Sequence, residues 1–531
     1  MTTEEGPRGD LEFGTIPRML ATSASRHGNR NAIEDGDVHI TYADLERKVR
    51  EAAKALLALD VAHGDRVAIW APNVWEWVVA ALATHSVGGV VVPVNTRYRG
   101  IEAAYLLQKS RAKVLFTVSG FLGTDYVAML RDSGERTPDL AHVVVLRGDL
   151  PEHTLSFASF VASAEGVSDA HLEARTSHVE PEDLADILFT SGTTGKPKGA
   201  MCSHAQNLRT FRSWAHIAGL DAGDRYLIVN PFFHSFGYKA GILAALMMGA
   251  TILPESVFDA RRVLERISND KVTVFPGPPA IYQSMLMQPD LGSFDLSSLR
   301  LAVTGAAVIP VELVHAMREK LGFRSVLTAY GLTETTGTVS MCRPEDSAET
   351  IAQTSGRAIP GVEVKIVDRE GKTLGPDEAG EIVVRGFNVM KGYFDAAEET
   401  NSTIDAEGFL HTGDVGTMDA RGYLRITDRL KDMFIVGGFN AYPAEIENVM
   451  LKQGDIAEVA VIGIPDERLG EVGMAFVVPK PGKTLDADAL LAWCKANMAN
   501  FKVPRRVKVL EKLPRNATGK VTKFELRELS R

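Results

Sequence analysis

The sequence contains few cysteines for its length. Only three occur in 531 residues, Cys202, Cys342 and Cys494, and no two of them form a CxxC pair. Disulfide frameworks and cysteine-based zinc sites need more cysteines at closer spacing, so the pattern argues against both. A reducing cytoplasm is therefore the expected compartment.

The sequence also lacks an excess of basic residues. Its 58 lysines and arginines are outnumbered by 68 aspartates and glutamates, which gives a formal net charge of −10. A protein that binds nucleic acid needs a basic face, so we expect no nucleic-acid partner.

Long hydrophobic runs are missing as well. The most apolar stretch, 74–94, is interrupted by Glu76 and His85, and a membrane-spanning helix needs roughly 20 predominantly apolar residues. The N-terminal residues MTTEEGPRGD are acidic and have no apolar core, unlike a signal peptide. We therefore expect no transmembrane segment.

Short β-branched runs alternate with helical patterns through most of the sequence. A helix is predicted over Trp75–Gly88. Strands are predicted at Arg66–Pro72, Gly89–Val94, Lys113–Val118, His142–Leu146 and Thr273–Pro279. Strands that alternate with helices are typical of parallel sheets covered on both faces, so the fold class is predicted to be α/β.

The pattern changes near residue 361. Between Gly361 and Arg425 short alternating strands are separated by Gly and Asp turns, which predicts a small antiparallel, barrel-like subdomain. After Arg429 mixed helix and strand patterns continue for about a hundred residues, the size of a small α+β domain. We predict an N-terminal domain over 1–429, with the barrel-like part at about 361–429, and a C-terminal domain over 430–531.

A polar loop follows the apolar segment 184–189. It reads TSGTTGKPKG from Thr190 to Gly199 and precedes a segment with a helical pattern. A P-loop has the form G-x-x-x-x-G-K-[ST]; here Pro197 follows Lys196, so this motif is a different one. Hydroxyls, lysines and glycines whose N–H groups can approach an anion favour phosphate binding, although such runs also occur in ordinary solvated loops. The position after a buried strand is where open α/β sheets bind ligands.

Seven motifs, in order, resemble those of the adenylate-forming superfamily, which includes acyl-CoA synthetases, luciferases and peptide-synthetase adenylation domains. They are TSGTTGKPKG (190–199), PFFHSFGYKAG (231–241), TGAA (304–307), AYGLTET (329–335), GFLHTGD (408–414), ITDRLKDMFIVGGFNAYPAEIE (426–447) and LPRNATGK (513–520). The similarity covers nearly the whole chain. It implies a mobile C-terminal domain and an acyl-adenylate made from ATP and a carboxylic acid, with release of pyrophosphate.

The resemblance assigns a nucleotide site. Glu334, with Thr190, is expected to hold Mg²⁺ against the ATP phosphates, since oxygen ligands suit a hard cation. Tyr330 is expected to face adenine, Asp414 to bind the ribose diol, and Arg429 to bind the same ribose or the α-phosphate. The other implied nucleotide-binding residues are Ser191, Gly192, Thr193, Thr194, Lys198, Gly305, Ala306, Ala307, Gly331 and Thr333. Taken singly, Glu334 would be an ordinary loop acid and Tyr330 a core aromatic.

The resemblance also assigns the chemical step and the domain movement. Lys520 is expected to swing into the site and stabilise charge on the α-phosphate during adenylation. Lys431 is expected to be the hinge about which the C-terminal domain then rotates. Gly437 and Gly438 would let the pantetheine arm of coenzyme A pass, although Gly-Gly is also a common turn.

The acid is expected to bind beside the motif PFFHSFG. By resemblance His234 gates a carboxylate pocket, although a histidine among phenylalanines is often a core residue. The implied lining residues are Phe236, Ala306, Gly331 and Gly337. No acidic residue lies between His234 and Tyr238 to pair with a substrate ammonium, so an apolar carboxylic acid is expected.

Finer resemblance concerns the substrate. NPFFHSFGYKAGI, FPGPPAIYQS and LTAYGLTE look close to actinobacterial acyl-CoA synthetases that activate a propionate left from steroid rings C and D in cholesterol catabolism. This favours a steroid-derived acid, with a medium- or long-chain fatty acid left open. The printed sequence carries no carrier-protein segment after Arg531, which favours coenzyme A as acceptor. An enzyme that acylates an amine or carrier protein and a non-catalytic nucleotide-binding protein are the alternatives, and a homodimer is compatible with the sequence.

Overall fold

The computed structural model of the chain describes residues 6–190, 197–305, 309–429, 432–436, 439–466, 469–498, 500–515 and 521–530. They belong to two compact units, Met1–Val364 with Val384–Leu410 and Lys365–Val383 with His411–Arg531. This division differs from the predicted domains because residues 365–383 and 411–429 group with the C-terminal residues. The boundary at 429/430 stays a prediction.

The first unit contains alternating strands and helices. Its strands are β1 (Asn31–Asp35), β2 (Val38–Thr41), β3 (Arg66–Trp70), β4 (Val90–Pro93), β5 (Ala112–Thr117), β6 (Ser119–Phe121), β7 (Thr124–Asp125), β8 (His142–Val145), β9 (Leu155–Ser156), β10 (Leu184–Thr190), β11 (Lys198–Ser203), β12 (Arg225–Ile228), β13 (Thr251–Pro254), β14 (Leu301–Gly305), β15 (Ser325–Tyr330), β16 (Ser340–Met341) and β17 (Arg357–Ala358).

Its helices alternate with these strands along the chain. They are α1 (Gly9–Phe13), α2 (Ile16–His27), α3 (Tyr42–Ala58), α4 (Trp75–Ser86), α5 (Gly100–Ser110), α6 (Tyr126–Asp132), α7 (Phe157–Ala162), α8 (Asp169–Ser177), α9 (His204–Ala218), α10 (Ser235–Gly237), α11 (Ala244–Met248), α12 (Ala260–Asp270), α13 (Pro279–Leu286), α14 (Val311–Glu319), α15 (Ala348–Gln353) and α16 (Ala397–Thr403), with a π-helix at Tyr238–Leu243 and 3₁₀ turns at Ser163–Gly166, Leu291–Ser293 and Thr333–Thr335.

The largest sheet has the strand order β11-β10-β4-β3-β5-β8-β9 in the described part of the chain. Its neighbouring strands are parallel, except that β10 and β11 are antiparallel. β4 is buried at every position and β3 at all but its first, as expected for strands covered on both faces. The predicted α/β class is confirmed.

A strand, and not a helix, directly follows the polar loop. β11 returns along β10, and only then does α9 begin. A reciprocal capping box starts α9: the Gln206 N–H donates to Ser203 Oγ at 3.3 Å, and the Ser203 N–H donates to Gln206 Oε1 at 2.9 Å. The expected helical segment is therefore present, but residues 200–203 of β11 separate it from the motif 190–199.

The predicted strand at Thr273–Pro279 is wrong. Val274 makes isolated bridges to β12 and β14, and the N–H groups of Phe275 and Gly277 donate 3.0 Å hydrogen bonds to the Leu301 and Val303 carbonyls of β14. Pro276, Pro278 and Pro279 have no N–H group to donate, so no regular ladder with both neighbours can form. Two further sheets of the first unit have the orders β12-β13-β1-β2 and β14-β15-β16-β17.

The later part of the chain has mainly antiparallel strands. They are β18 (Val362–Val367), β19 (Gly380–Gly386), β20 (Leu410–Met418), β21 (Leu424–Arg429), β22 (Phe434–Val436), β23 (Phe439–Ala441), α17 (Pro443–Met450), β24 (Ile456–Asp466), β25 (Gly470–Pro479), α18 (Ala487–Asn497), β26 (Arg506–Val509) and α19 (Lys523–Leu529). β18-β19-β20-β21 form one sheet, which agrees with the predicted barrel-like strands.

The C-terminal residues form an α+β core around a long hairpin. β24 and β25 pair antiparallel, β22 adds antiparallel to β25, and β26 adds parallel to it. Buried side chains on these strands and on α18 and α19 make one apolar cluster, including Phe434, Phe476, Leu490 and Leu526. Among the helices that the structure describes, none is long and apolar enough to cross a membrane.

His204 makes the first unit sensitive to acid. It is fully buried, and its Nδ1 accepts a 3.3 Å hydrogen bond from the Ile16 N–H. Burial lowers its pKa to about 4. Because the unfolded chain takes up this proton near pH 6.5 and the folded chain near pH 4, stability present above pH 6.5 is lost as the pH falls through that window.

Replacing His204 with glutamine should therefore flatten the pH dependence of stability. Between pH 8 and pH 5 the parent is expected to lose about 2 kcal/mol more than the variant. Thermal unfolding across this range measures the difference. His216→Gln, which changes an exposed histidine on the same helix, is the control, and equal slopes for the parent and His204→Gln would contradict the assignment.

Candidate functional site

The β10–β11 hairpin closes the polar loop. Thr190, the last residue of β10, pairs directly with Lys198, the first residue of β11. Gly199 is required beside this pair, since a Cβ there would lie 2.5 Å from Ile187 Cγ2. The predicted site residues within the loop, Ser191, Gly192, Thr193 and Thr194, lie outside the described residues.

Glu334 meets Thr190 at the end of this hairpin. The Thr190 hydroxyl donates a 3.2 Å hydrogen bond to Glu334 Oε1, joining residues 144 positions apart. The 3₁₀ turn Thr333–Thr335 presents the carboxylate, and the backbone of Glu334 is held because its carbonyl accepts a 2.9 Å hydrogen bond from the Met390 N–H. Two residues predicted to share a magnesium ion are therefore in contact.

Tyr393 is a site residue that the sequence reasoning missed. Its hydroxyl donates a 2.9 Å hydrogen bond to the same oxygen, Glu334 Oε1. The ammonium of Lys198 lies 5.0 Å from the centroid of its ring. Burial, with the neighbouring Glu334 carboxylate, raises the pKa of Tyr393, so the phenol remains a donor. KGYFD resembles an ordinary turn with two aromatic residues, and nothing in that stretch indicates contact with residue 334.

The donor atoms fit a hard divalent cation. A carboxylate and a hydroxyl are oxygen ligands of the kind that Mg²⁺ prefers. No group of three or more His, Cys, Asp or Glu side chains within the described residues could hold a metal ion. This donor set suits a magnesium ion bound together with nucleotide phosphates, because Mg²⁺ in such sites takes few protein ligands.

Glycines allow close backbone approach at the two segments that are predicted to bind adenine. A Cβ on Gly331 would lie 2.3 Å from the Gly337 carbonyl oxygen, and one on Gly305 would lie 2.5 Å from the Ala329 carbonyl oxygen. Tyr330, half-buried, ends β15 between these contacts. Ala306 and Ala307, the other residues predicted to face adenine, lie outside the described residues.

The predicted gate residue His234 is exposed and caps α10. Its Nδ1 accepts a 3.2 Å hydrogen bond from the N–H of Phe236, which is half-buried. Gly337 approaches the same segment with φ at 106°, and a Cβ there would lie 3.1 Å from Ser235 Cβ. Gly337 therefore lies close both to the gate segment, residues 234–237, and to Gly331.

Two predicted nucleotide ligands belong to the second unit. Asp414 on β20 is buried, and its N–H donates a 3.0 Å hydrogen bond to Thr412 Oγ1. In the strand register it is opposite Arg429 on β21. Lys431, Gly437, Gly438 and Lys520 lie outside the described residues.

A buried ion pair, also missed from the sequence, lies on the strand that leads to Thr190. Lys239 Nζ is 2.8 Å from Asp186 Oδ1, and both side chains are fully buried. Asn207 donates a 2.6 Å hydrogen bond to Asp186 Oδ2. Burial alone would lower the pKa of Lys239, but the Asp186 carboxylate raises it above its ordinary value. Because Lys239 is in the π-helix after the gate segment, the pair connects that segment to β10.

The pairing of Thr190 with Lys198 at the ends of two strands, together with the contact of Thr190 with the Glu334 carboxylate, is compatible with an enzyme that binds nucleotide phosphates. Residues 20–394 match the AMP-binding enzyme family, and residues 445–520 match the C-terminal domain of AMP-binding enzymes. The chain belongs to the AMP-binding enzyme family, as its seven motifs indicated.

Individual relatives narrow the class. The 3-[(3aS,4S,7aS)-7a-methyl-1,5-dioxo-octahydro-1H-inden-4-yl]propanoyl:CoA ligase of Rhodococcus jostii strain RHA1 is 50% identical over 97% of this chain and 98% of its own length. Two crystal structures are similar: the anthranilate CoA ligase AuaEII with anthranoyl-AMP (TM-score 0.86, 28% identity, 100% and 99% coverage) and ATP-bound MatB from Rhodopseudomonas palustris (TM-score 0.84, 32% identity, 97% and 99% coverage). The predicted class, an ATP-using acyl-CoA ligase, is confirmed.

The buried pair can be tested by removing one charge or both. Lys239→Met is expected to destabilise the first unit by about 3–5 kcal/mol, because Asp186 would remain as an unpaired buried carboxylate. Adding Asp186→Asn removes that charge, keeps an acceptor for Asn207, and should restore most of the loss. Thermal unfolding of the parent, both single variants and the double variant measures this coupling.

Lys271→Met is the matched control, since Lys271 pairs with Asp295 at 2.7 Å on the exposed surface. It should leave the unfolding temperature nearly unchanged, because surface pairs contribute little. A double variant as unstable as the sum of its single changes would show that the two buried charges do not depend on each other.

Proposed function

We propose that this chain is an AMP-forming acyl-CoA ligase that acts on a steroid-derived acid, a propionate side chain on an indane ring system. One observation carries the catalytic part of the proposal: the 3.2 Å contact between Thr190 and Glu334 beside the closed loop. The choice of acid is supported by the 50% identity to the Rhodococcus ligase over nearly the full length of both chains.

The proposed reaction has two steps. A carboxylate oxygen of the acid attacks the α-phosphorus of ATP, the bond to the bridging oxygen breaks, and pyrophosphate leaves. The sulfur of coenzyme A then attacks the acyl carbon of the adenylate, loses its proton, and AMP leaves with the shared oxygen. The products are acyl-CoA, AMP and pyrophosphate.

In the first step the loop and Glu334 hold the phosphates. Thr190 and Lys198 bind the β- and γ-phosphates together with the hydroxyls and N–H groups of residues 191–194. A bound magnesium ion, held by Glu334 and Thr190, would neutralise phosphate charge. Fixed donors and charges of this kind favour the transition state because they need no reorganisation during the reaction.

The remaining roles rest on the motifs. Tyr330 with residues 305–307 and Gly331 binds adenine, Asp414 binds the ribose, and Arg429 binds the ribose or the α-phosphate. Lys520 stabilises the charge that develops on the α-phosphate. Residues 430–531 then rotate about Lys431. This rotation withdraws Lys520 from the adenylate and brings Gly437 and Gly438 to it, where they let coenzyme A pass.

The proposed acid pocket is uncharged. Between His234 and Tyr238 no acidic side chain occurs, so a substrate ammonium would have no partner and an apolar ring system is favoured. Phe236 and Gly337 line the pocket in this proposal, and His234 gates it. A medium- or long-chain fatty acid is the alternative substrate. A role in lipid metabolism, a cytoplasmic location and a homodimer remain predictions.

The function is tested by product analysis. With ATP, Mg²⁺ and coenzyme A, the purified protein should convert an indane-propionate acid to its thioester with equal amounts of AMP and pyrophosphate, and faster than it converts octanoate or palmitate. Glu334→Gln should lower pyrophosphate release by about 100-fold or more. Release of ADP would contradict the mechanism, faster conversion of a fatty acid would contradict the substrate, and acylation of an added amine in place of coenzyme A would favour the amine-acylating alternative.

Gly337→Ala tests the proposed acid pocket. The new methyl group would lie 3.1 Å from Ser235 Cβ and 3.2 Å from the Phe211 ring, so the KM for the acid should rise several-fold more than the KM for ATP. The control is Gly120→Ala, where φ is also positive at 80° but no atom lies within 4 Å of the new Cβ. Equal changes in both KM values would argue against a place for Gly337 in the acid pocket.

A further inference from the structure

Tyr393 contacts two of the proposed phosphate-site groups at once. Its hydroxyl donates to Glu334 Oε1 at 2.9 Å, and its ring lies 5.0 Å below the Lys198 ammonium. Thr190 donates to the same carboxylate oxygen at 3.2 Å. Among the described residues no hydrogen bond reaches the other oxygen, Oε2. The Glu334 carboxylate is therefore held by these two donors through Oε1, and neither of them binds Oε2.

The backbone fixes the place of Tyr393 relative to both groups. Residues 390–394 pair with β11: the Met201 N–H donates to the Gly392 carbonyl at 3.0 Å, and the Phe394 N–H donates to the Gly199 carbonyl at 2.8 Å. The Met390 N–H donates to the Glu334 carbonyl at 2.9 Å. A segment of three residues or so between such contacts has little freedom to move.

The Tyr393 ring is also packed. It is 8% exposed and lies in a small apolar cluster with Ala200, Met390 and Leu410. Apolar packing alone would be satisfied by phenylalanine. The hydroxyl is a buried polar group whose acceptor is the Glu334 carboxylate of the proposed metal site, and that hydrogen bond offsets part of its cost of burial.

We propose that Tyr393 is a positioning residue of the ATP site, which sets the orientation of the Glu334 carboxylate through its hydroxyl and supports Lys198 with its ring. The inference rests on the proposed function and adds a residue that the motifs did not indicate. Carboxylates that bind metals are commonly held by hydrogen bonds from a second layer of residues, and loss of such a bond lowers metal affinity. A cation over an aromatic face is attracted to it, so the ring also favours one position of the lysine.

Two substitutions separate the roles of hydroxyl and ring. Tyr393→Phe removes the hydrogen bond to Glu334 but keeps the surface under Lys198 and the apolar packing. Tyr393→Leu removes both. Tyr126→Phe is the matched control, since the Tyr126 hydroxyl donates at 2.8 Å to the Thr96 carbonyl, away from the loop and Glu334.

The measurement is calorimetric binding of ATP with Mg²⁺ and, separately, with EDTA. For Tyr393→Phe the gain in ATP affinity that Mg²⁺ provides should shrink by about 10-fold, while the affinity in EDTA stays within about two-fold of the parent. Tyr393→Leu should show the same loss of magnesium gain and, in addition, weaker binding in EDTA by several-fold. Tyr126→Phe should match the parent in both conditions.

The outcomes are distinguishable. An unchanged magnesium gain in Tyr393→Phe would overturn the positioning role, and so would an equal loss of affinity with and without Mg²⁺, which indicates a general structural effect. If the parent binds ATP but forms no acyl-CoA, the proposed function fails whatever Tyr393 does. If the parent forms acyl-CoA and the variants behave like Tyr126→Phe, only the inference about Tyr393 fails.

Discussion

The antiparallel pairing of β10 with β11 is the constraint on which the candidate site depends. Its register places Thr190 opposite Lys198 and Asp186 opposite Cys202. A slip of β10 by one residue would turn each of its side chains to the other face. Thr190 would then leave Glu334, and Asp186 would leave Lys239.

The buried ion pair explains why such a slip is disfavoured. Taking two charges out of water costs several kcal/mol each, and only a well-placed partner offsets that cost. Any register that separates Asp186 from Lys239 leaves two isolated buried charges. The pair therefore favours the position of β10 that keeps Asp186 beside Lys239 of the π-helix.

The general class of fold could be predicted from the sequence, but the exact neighbours of the site could not. Periodicity located the helix α4 and four of the five strands that it bounded, and the TSGTTGKPKG and YGLTE motifs indicated that Thr190 and Glu334 lie close together, as the structure shows. The prediction at Thr273–Pro279 was wrong because it was based on the β-branched residues alone. It did not take into account that the prolines in this segment have no N–H group for a regular ladder. The helix after the loop was expected too early because residues 198–203 form a mostly buried strand. Such a strand lacks the alternation of polar and apolar residues by which a half-buried strand is identified.

Tyr393 and Lys239 escaped prediction for a different reason. Each acquires its role from a partner far along the chain, Glu334 for the tyrosine and Asp186 for the lysine. A single sequence carries no local signal of such a partner. A lysine in the apolar stretch GYKAGILAA does suggest a buried charge, but not which carboxylate meets it.

The same contacts indicate how precision at the loop is achieved. β11 is bordered on one side by β10 and on the other by residues 390–394, so the strand that begins with Lys198 is hydrogen-bonded along both edges. Glu334 is tied to the same segment through its own carbonyl. Backbone hydrogen bonds thus set the distances between the ends of the loop and Glu334. The hydroxyls of Thr190 and Tyr393 orient the Glu334 carboxylate.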